Sequence, residues 1–138
     1  MPTQPMSDSH KLPPQNIEAE QSLLGCLLID QEAMVRVADQ INPEDFYRPA
    51  HQKIFEGMID LFERHDPIDI LSLGNRLEEK TWLQQVGGRA YLVELSNMEP
   101  TSANITHSAE IVQKKATLRR LLQTASDIEN SQFMRAIM

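Results

Sequence analysis

This sequence of 138 residues has one cysteine, five glycines and an aromatic content of only 5%. A single cysteine, Cys26, excludes an internal disulfide and a multi-cysteine metal site, and a reducing cytoplasm is the default compartment. Five glycines are too few for the many turns of an all-β protein. With so few aromatic residues, the core must be built from Leu, Ile, Val, Met and Ala. At this length we expect one domain, with or without an appendage.

The sequence patterns of membrane proteins and of several enzyme classes are missing. No run approaches the ~20 apolar residues of a membrane span, and the proline-rich segment 1–15 is not a signal peptide. The only paired glycines, Gly87 and Gly88, are not followed by the Lys-Ser/Thr of a phosphate-binding loop. Zinc-protease, EF-hand and nucleophile-elbow motifs do not occur. We therefore expect the chain neither to bind nor to hydrolyse ATP, and to hold no catalytic, cofactor-binding or metal-binding residues.

The net charge of −7 argues against a surface built to neutralise phosphates, so we expect at most weak, salt-sensitive contact with single-stranded DNA. The charge is uneven along the chain. Residues 15–100 carry sixteen acidic and seven basic side chains, whereas residues 101–138 carry three acidic and five basic ones. We predict a disordered arm over residues 1–14, an acidic helical head over 15–100 and a mildly basic tail over 101–138.

Helix-start signals recur through the predicted head. Asn16 and Asp69 are capping residues placed before apolar runs, and Pro49 suits the first position of a helix. Apolar residues at helical spacing follow each of them, which indicates an all-α fold. Four of these side chains are expected to be buried in the head, namely Leu24, Leu27, Phe55 and Leu92. A short helix after Asp30 should bury a further set: Met34, Val35, Val37, Ala38 and Ile41.

The tail from Thr101 to Met138 contains neither Gly nor Pro. Apolar residues recur along it at intervals of three and four, which predicts one long amphipathic helix over roughly residues 103–129, about 40 Å in length. A helix of that length overhangs a head whose expected radius of gyration is about 12 Å. Part of its apolar stripe should therefore lie exposed and mediate self-association. The residues assigned to this interface are Ile111, Leu118, Leu121, Leu122 and Ala125.

A basic cluster on the same helix consists of Lys114, Lys115, Arg119 and Arg120. No acidic residue lies between Glu110 and Asp127. Three interpretations stay open: a solvated helix face, docking of an acidic partner protein, or contact with nucleic acid. The last is the weakest, because no aromatic residues are interleaved with the four charges. We expect the cluster to stay outside the self-association contact, free to meet an acidic partner.

Other chemically active residues each have a functional and an ordinary interpretation. His107 and Glu110 have a spacing that could place two metal ligands on one helix, although no second such pair accompanies them. His51 flanks an apolar face and is expected to be a surface or hydrogen-bonded histidine. Cys26 lies in a leucine-rich helix, where a buried inert thiol is expected. Trp82 either anchors a loop on the core or contacts a partner.

Four stretches of the chain are distinctive: residues 14–25 (PQNIEAEQSLLG), 45–51 (DFYRPAH), 87–95 (GGRAYLVEL) and 100–105 (PTSANI). In this order they resemble the amino-terminal domain of bacterial DnaB-family replicative DNA helicases. The first stretch is fairly specific by itself, and the four collinear stretches extend the resemblance over roughly residues 12–129.

The resemblance implies an all-helical domain with a globular head and a helical hairpin that pairs with a neighbouring subunit. In that family these domains form the collar of a hexameric ring, where a DnaG-type primase docks; a helicase loader is a further candidate partner. The motor is a separate RecA-like domain that takes ATP and magnesium and unwinds DNA with 5′→3′ polarity. We expect this chain to lack the motor and to hold only the first half of the hairpin, with a truncated hairpin or linker after it. That truncation should weaken subunit pairing and primase affinity.

We therefore interpret the chain as the non-catalytic collar domain of a replicative helicase, working in the bacterial cytoplasm with the nucleoid-associated replication machinery. It would assemble subunits into a ring through the apolar stripe and dock primase through the basic cluster. One alternative is a freestanding helical adaptor that regulates a helicase or a primase. A helical metal-dependent enzyme is a third class, and it would require stoichiometric metal in the purified protein.

Overall fold

The computed structural model describes residues 12–98 and 104–137, with side chains as far as residue 130. Every regular element in these ranges is helical, which confirms the predicted all-α class. The elements are α1 (Ile17–Ile29), α2 (Ala33–Val37), a 3₁₀ turn (Pro43–Asp45), α3 (Pro49–Glu63), α4 (Ile70–Glu79), α5 (Gly88–Ser96) and α6 (Ile105–Ile137). None of these described helices is long and apolar enough to cross a membrane. Most of the predicted arm, residues 1–11, and the predicted boundary at residue 100 lie outside the described residues.

Local polar contacts start the helices where the sequence predicts them. The Asn16 side chain accepts a hydrogen bond from the Ala19 backbone N–H at 3.0 Å. Asp69 accepts one from the Ser72 backbone N–H at 2.7 Å. Pro49 is the first residue of α3, where its missing N–H removes no helical hydrogen bond. Each start is therefore encoded within one turn of sequence.

The core of the head forms around α1, which packs against α3, α5 and α6. Leu24, Leu27, Phe55 and Leu92 are completely buried, which confirms their assignment to the core. Because three helices cover α1, its buried residues extend around most of the helix and are not confined to a single stripe. Burial of this helix therefore contributes directly to the hydrophobic stabilisation of the head.

The short helix α2 differs from its prediction at one position. Met34, Val37 and Ile41 are buried as expected and Ala38 is half-buried against the core, but Val35 is 67% exposed. Ala33, Met34 and Val37 share the buried face of α2, and at about 100° per residue Val35 lies about 160° around the helix from Ala33 and Val37, on the opposite face. The predicted burial of Val35 is wrong for this reason.

The long helix α6 has two halves with different surroundings. In its first half, side chains at intervals of four, three and four are buried against the head: Ile105, Ala109, Val112 and Ala116. From Arg120 to Asn130 every side chain is exposed, so the second half projects from the head. The helix also continues to Ile137, beyond the predicted end near residue 129. The core of the head thus includes the first twelve residues of α6, past the predicted boundary at residue 100.

The end of α4 holds a strained residue that offers a test of local stability. Thr81 has φ = 61°, in the left-handed region, while its N–H bonds Glu78 O at 3.0 Å and the Trp82 N–H bonds Leu77 O at 2.8 Å. This pair of bonds is the Schellman ending, in which glycine is the favoured residue because a Cβ, and a β-branched one above all, is crowded there. Thr81→Gly is expected to raise the free energy of unfolding by about 0.5–1 kcal/mol in urea denaturation.

Thr81→Ala is the matched control for that substitution. It removes the hydroxyl and the β-branch but keeps a Cβ at positive φ, so it should recover little of the strain. Equal stabilities for the glycine and alanine variants would show that the left-handed conformation at Thr81 is not costly.

Candidate functional site

The projecting half of α6 carries an exposed apolar surface. Leu118 is 44% exposed, Leu121 60%, Leu122 58% and Ile128 54%. Positions 118, 121, 122 and 125 follow the i, i+3, i+4, i+7 spacing that places side chains on one face of a helix. We call the set Leu118, Leu121, Leu122, Ala125 and Ile128 the interface stripe.

One residue of the predicted interface lies elsewhere. Ile111 is half-buried and packs against the core of the head. It belongs to the half of α6 that closes the head, so it does not join the interface stripe. The reason is the depth to which the head covers α6, which extends as far as Ala116 and which the helical periodicity alone does not show.

The basic cluster is divided between solvent and the head. Lys114 is exposed and Lys115 is half-buried. Neither lysine forms an ion pair with a described residue. Arg119 donates through Nη1 to Pro14 O and through Nη2 to Asp45 O, both at 2.7 Å. Arg120 Nη1 lies 3.0 Å from Asp45 Oδ1. We call the contacts of Arg119 and Arg120 with Pro14 and Asp45 the arginine clamp.

The arginine clamp corrects the expectation that all four basic residues are free to meet an acidic partner. That expectation is wrong for Arg119 and Arg120, because their guanidinium groups already bind acceptors of the head. The acceptors lie 74 or more positions earlier in the chain, so no local pattern reveals them. Lys114 and Lys115 make no such contact with the described head, so the prediction of a docking surface rests mainly on them.

Asp45, the centre of the clamp, is almost fully buried, with 3% exposure. Its Oδ2 accepts a hydrogen bond from the Asn42 backbone N–H at 2.9 Å, while Oδ1 faces Arg120. The Arg119 guanidinium also stacks over the Tyr47 ring, with Cζ 5.5 Å from the ring centroid. Every polar atom of the Asp45 side chain therefore has a partner, as a buried carboxylate requires.

A second buried polar cluster links α1, α3 and α5. The His51 ring is completely buried, with Nδ1 2.7 Å from Glu20 Oε1 and Nε2 2.7 Å from the Tyr91 hydroxyl. Glu20 Oε2 accepts the Tyr47 backbone N–H at 2.6 Å, and the Tyr91 hydroxyl accepts from Gln21 Nε2 at 3.1 Å. We call Glu20, Gln21, His51 and Tyr91 the buried network.

Hydrogen-bond roles in the buried network follow from the chemistry of its members. A carboxylate only accepts, so the proton facing Glu20 is on His51 Nδ1. The Tyr91 hydroxyl, which accepts from Gln21, can then donate to His51 Nε2. Both ring nitrogens are engaged inside the protein and the ring has no exposed surface. The network therefore holds three helices together and does not present a base to a substrate.

Sequence analysis missed the buried network as a unit. It left His51 as a surface or a hydrogen-bonded residue, and the hydrogen-bonded alternative is correct. The available signal was Glu20, which falls at helical spacing with Leu23, Leu24 and Leu27 on the apolar face of α1. A carboxylate on that face must be buried with a partner, so its position was informative.

The remaining candidates have ordinary surroundings. Burial raises the pKa of the Cys26 thiol, Asp30 raises it further and Arg36 lowers it, which fits an unreactive thiol. Trp82 is half-buried, with Lys80 Nζ 4.6 Å and Lys53 Nζ 5.6 Å from its ring centroid, as expected of a loop anchor. Among the described residues, no group of three or more His, Cys, Asp or Glu is placed to hold a metal ion.

Comparison with known sequences relates the chain to replicative helicases. The family model for the DnaB-like helicase N terminal domain matches residues 12–114. The replicative DNA helicase DnaB of Geobacillus stearothermophilus is 42% identical over 127 residues, which are 92% of this chain and 28% of that protein. The replicative DNA helicase DnaC of Bacillus subtilis (strain 168) is 42% identical over 125 residues, 91% of this chain and 28% of that protein. The chain thus spans about a quarter of the length of these relatives.

Solved structures give the same relationship. The crystal structure of the N-terminal domain of DnaB helicase from Mycobacterium tuberculosis superposes with a TM-score of 0.88 at 37% identity, covering 92% of this chain and 91% of that chain. A structure described as a DnaB-like replicative helicase and its interactions with primase has a TM-score of 0.75 at 28% identity, covering 86% of this chain and 28% of that chain. The helical head with a projecting α6 and the sequence similarity agree, and the chain belongs to the family of DnaB-like helicase N-terminal domains.

Proposed function

We propose that this chain is the non-catalytic amino-terminal collar domain of a replicative DNA helicase. It would join subunits into a hexameric ring and dock primase at the replication fork. Family membership supports the first part, and the share of the relatives that the chain spans leaves room for a separate motor domain. ATP and magnesium would act in that motor, which agrees with the missing phosphate-binding loop in this sequence.

The observation that carries the assembly role is the interface stripe. Its apolar side chains lie on one face of a helix that has left the head, and each of the four large ones is 44–60% exposed. Keeping such a surface in water is unfavourable by about 25 cal/mol per Å² of apolar area. A second copy presents the same stripe, so two projecting helices can cover each other around a two-fold axis.

The docking role rests on weaker but independent support. One homologous structure is of a helicase with its interactions with primase. On this chain, Lys114 is exposed and Lys115 is half-buried, next to the interface stripe in the sequence. Two positive charges at this place favour a partner with an acidic surface. The net charge of −7 disfavours DNA as that partner. A helicase loader would be a further partner of the same collar.

Leu121→Asp tests the assembly role. Association through the stripe would bury the new carboxylate in an apolar contact without a partner, so the substitution should abolish self-association. Sedimentation equilibrium over a range of protein concentrations measures this directly. The control is Asn130→Asp, which adds the same charge on the far side of the exposed half of α6 and should leave association near the parent level. If Leu121→Asp assembles like the parent, the stripe is not the interface.

A further inference from the structure

We propose that the arginine clamp sets the direction in which the projecting half of α6 leaves the head, and that pairing through the interface stripe depends on that direction. Arg119 and Arg120 are then positioning residues for assembly, not docking residues for an acidic partner. The inference rests on the proposed self-association, which it deepens.

The position of the clamp along α6 is the first argument. Ala116 is the last α6 residue buried in the core, and every side chain from Arg120 to Asn130 is exposed. The contacts of Arg119 and Arg120 are the last hydrogen bonds and ion pairs along α6 that join it to the described part of the head. Beyond them the helix runs a further 17 residues to Ile137. Whatever holds this point of the helix controls the orientation of everything after it.

The geometry of Arg119 is the second argument. Its two Nη atoms reach carbonyl oxygens of two separate segments, Pro14 before α1 and Asp45 at the 3₁₀ turn. A planar guanidinium can donate hydrogen bonds to two acceptors at fixed angles through its two Nη atoms. The single ammonium nitrogen of lysine lacks this paired geometry. Two acceptors on separate segments of the chain restrain the guanidinium, and with it this point of α6, more than one contact would.

The rigidity of the anchor is the third argument. Asp45 is buried and is held by the Asn42 backbone N–H. Two residues later, the Tyr47 backbone N–H binds Glu20 of the buried network. The turn that receives the arginines is thus fixed on both sides to the core. If this turn were mobile, the arginine clamp could not fix the direction of α6.

The length of the projecting half makes direction matter. Seventeen residues at about 1.5 Å each extend about 26 Å beyond the clamp. A tilt of about 10° would move the end of such a rod by about 4–5 Å, roughly half of the 8–10 Å that separates packed helices. A helix free to tilt by this amount would present the stripe correctly for only a fraction of the time. The apparent dissociation constant rises as that fraction falls.

Arg119→Lys is the decisive variant, because it keeps the positive charge and removes the pair of Nη donors. Spin labels are attached to cysteines that replace Glu94 on the head and Ser126 on α6, both of which are exposed. The distance between the labels, measured by pulsed electron paramagnetic resonance, reports the direction of the helix. The buried Cys26 is replaced by alanine in all proteins. The distances are measured in the Leu121→Asp background, so that they do not depend on association. We expect a broader or shifted distance distribution for Arg119→Lys and an unchanged one for Lys114→Arg, the control on the same helix.

Self-association is then measured by sedimentation without the Leu121→Asp change. We expect the dissociation constant of Arg119→Lys to rise by about tenfold, as for a competent fraction reduced to about a third, because both copies of a pair must be competent. Arg120→Gln, which removes the ion pair with Asp45, should act in the same direction. An unchanged distance distribution in both arginine variants overturns the proposal. The proposal is also overturned if the distance distribution changes while the dissociation constant stays at the parent value. If the parent itself does not associate, the proposed assembly role fails, and the distances still show whether the clamp directs the helix.

Discussion

Glu20→Ala is expected to lower the free energy of unfolding by about 3–5 kcal/mol, the loss typical of removing one member of a buried polar pair. The carboxylate of Glu20 accepts hydrogen bonds from His51 Nδ1 and from the Tyr47 backbone N–H, and its residue is 2% exposed. Alanine would leave both donors inside the protein without an acceptor, and each such donor costs about 1–3 kcal/mol. Urea denaturation at neutral pH, followed by circular dichroism, measures the loss.

Glu18 provides the matched control for Glu20. It lies in the same first turn of α1 but is exposed, so Glu18→Ala should remove only a favourable interaction with the helix dipole, worth about 0.3–1 kcal/mol. Glu20→Gln keeps one acceptor oxygen and the size of the side chain, and should fall between the two. Similar losses for Glu18→Ala and Glu20→Ala would mean that the buried network does not stabilise the fold.

Phe55→Ala should lower the free energy of unfolding by about 3–5 kcal/mol, the range for truncating a buried aromatic side chain. Phe55 is completely buried on α3 and packs on Phe46, with ring centroids 5.1 Å apart. The cavity would lie in the core of the head, where the surrounding packed side chains limit collapse. For a domain stabilised by about 10 kcal/mol in total, this is a large fraction. Thermal and urea melts both report it.

Phe62, on the same helix but only half-buried, is the control for Phe55. Phe62→Ala removes the same atoms from a site that solvent already reaches, so its cost should be clearly smaller. Leu24→Ala, on the central helix α1, should cost about 2–5 kcal/mol. Unchanged melting of both Phe55→Ala and Leu24→Ala would show that the head is not built around these residues.

The parts of the fold that sequence analysis predicted are those determined within a few residues. The caps at Asn16 and Asp69 bond N–H groups three positions away, and Pro49 acts through its own ring. Helical periodicity likewise predicted a continuous apolar stripe on α6, although not the point at which the head ceases to cover it. Such features need no knowledge of the rest of the chain, so a single sequence is sufficient to predict them.

The parts that it missed depend on distant pairs. His51 meets Glu20 across 31 positions, and Arg120 meets Asp45 across 75. A basic cluster on a helix has the same pattern whether it faces solvent or a buried carboxylate, so the free and the clamped arginines could not be separated. Charge alone assigned Arg119 and Arg120 to a partner, whereas the packing of α6 against the 3₁₀ turn gives them acceptors within the head.

The contact between α1 and α6 also bears on the order in which the chain folds. The Ser108 hydroxyl on α6 donates to the Ser22 hydroxyl on α1 at 3.3 Å, across 86 positions of sequence. Closing a loop of that size costs about 4 kcal/mol of chain entropy before the contact forms. Although α1 is synthesised early, the side of it that faces α6 stays open until the first half of α6 has been made. A growing chain therefore cannot complete the core of the head until the residues up to Ala116 have been made, and the interface stripe follows directly after them.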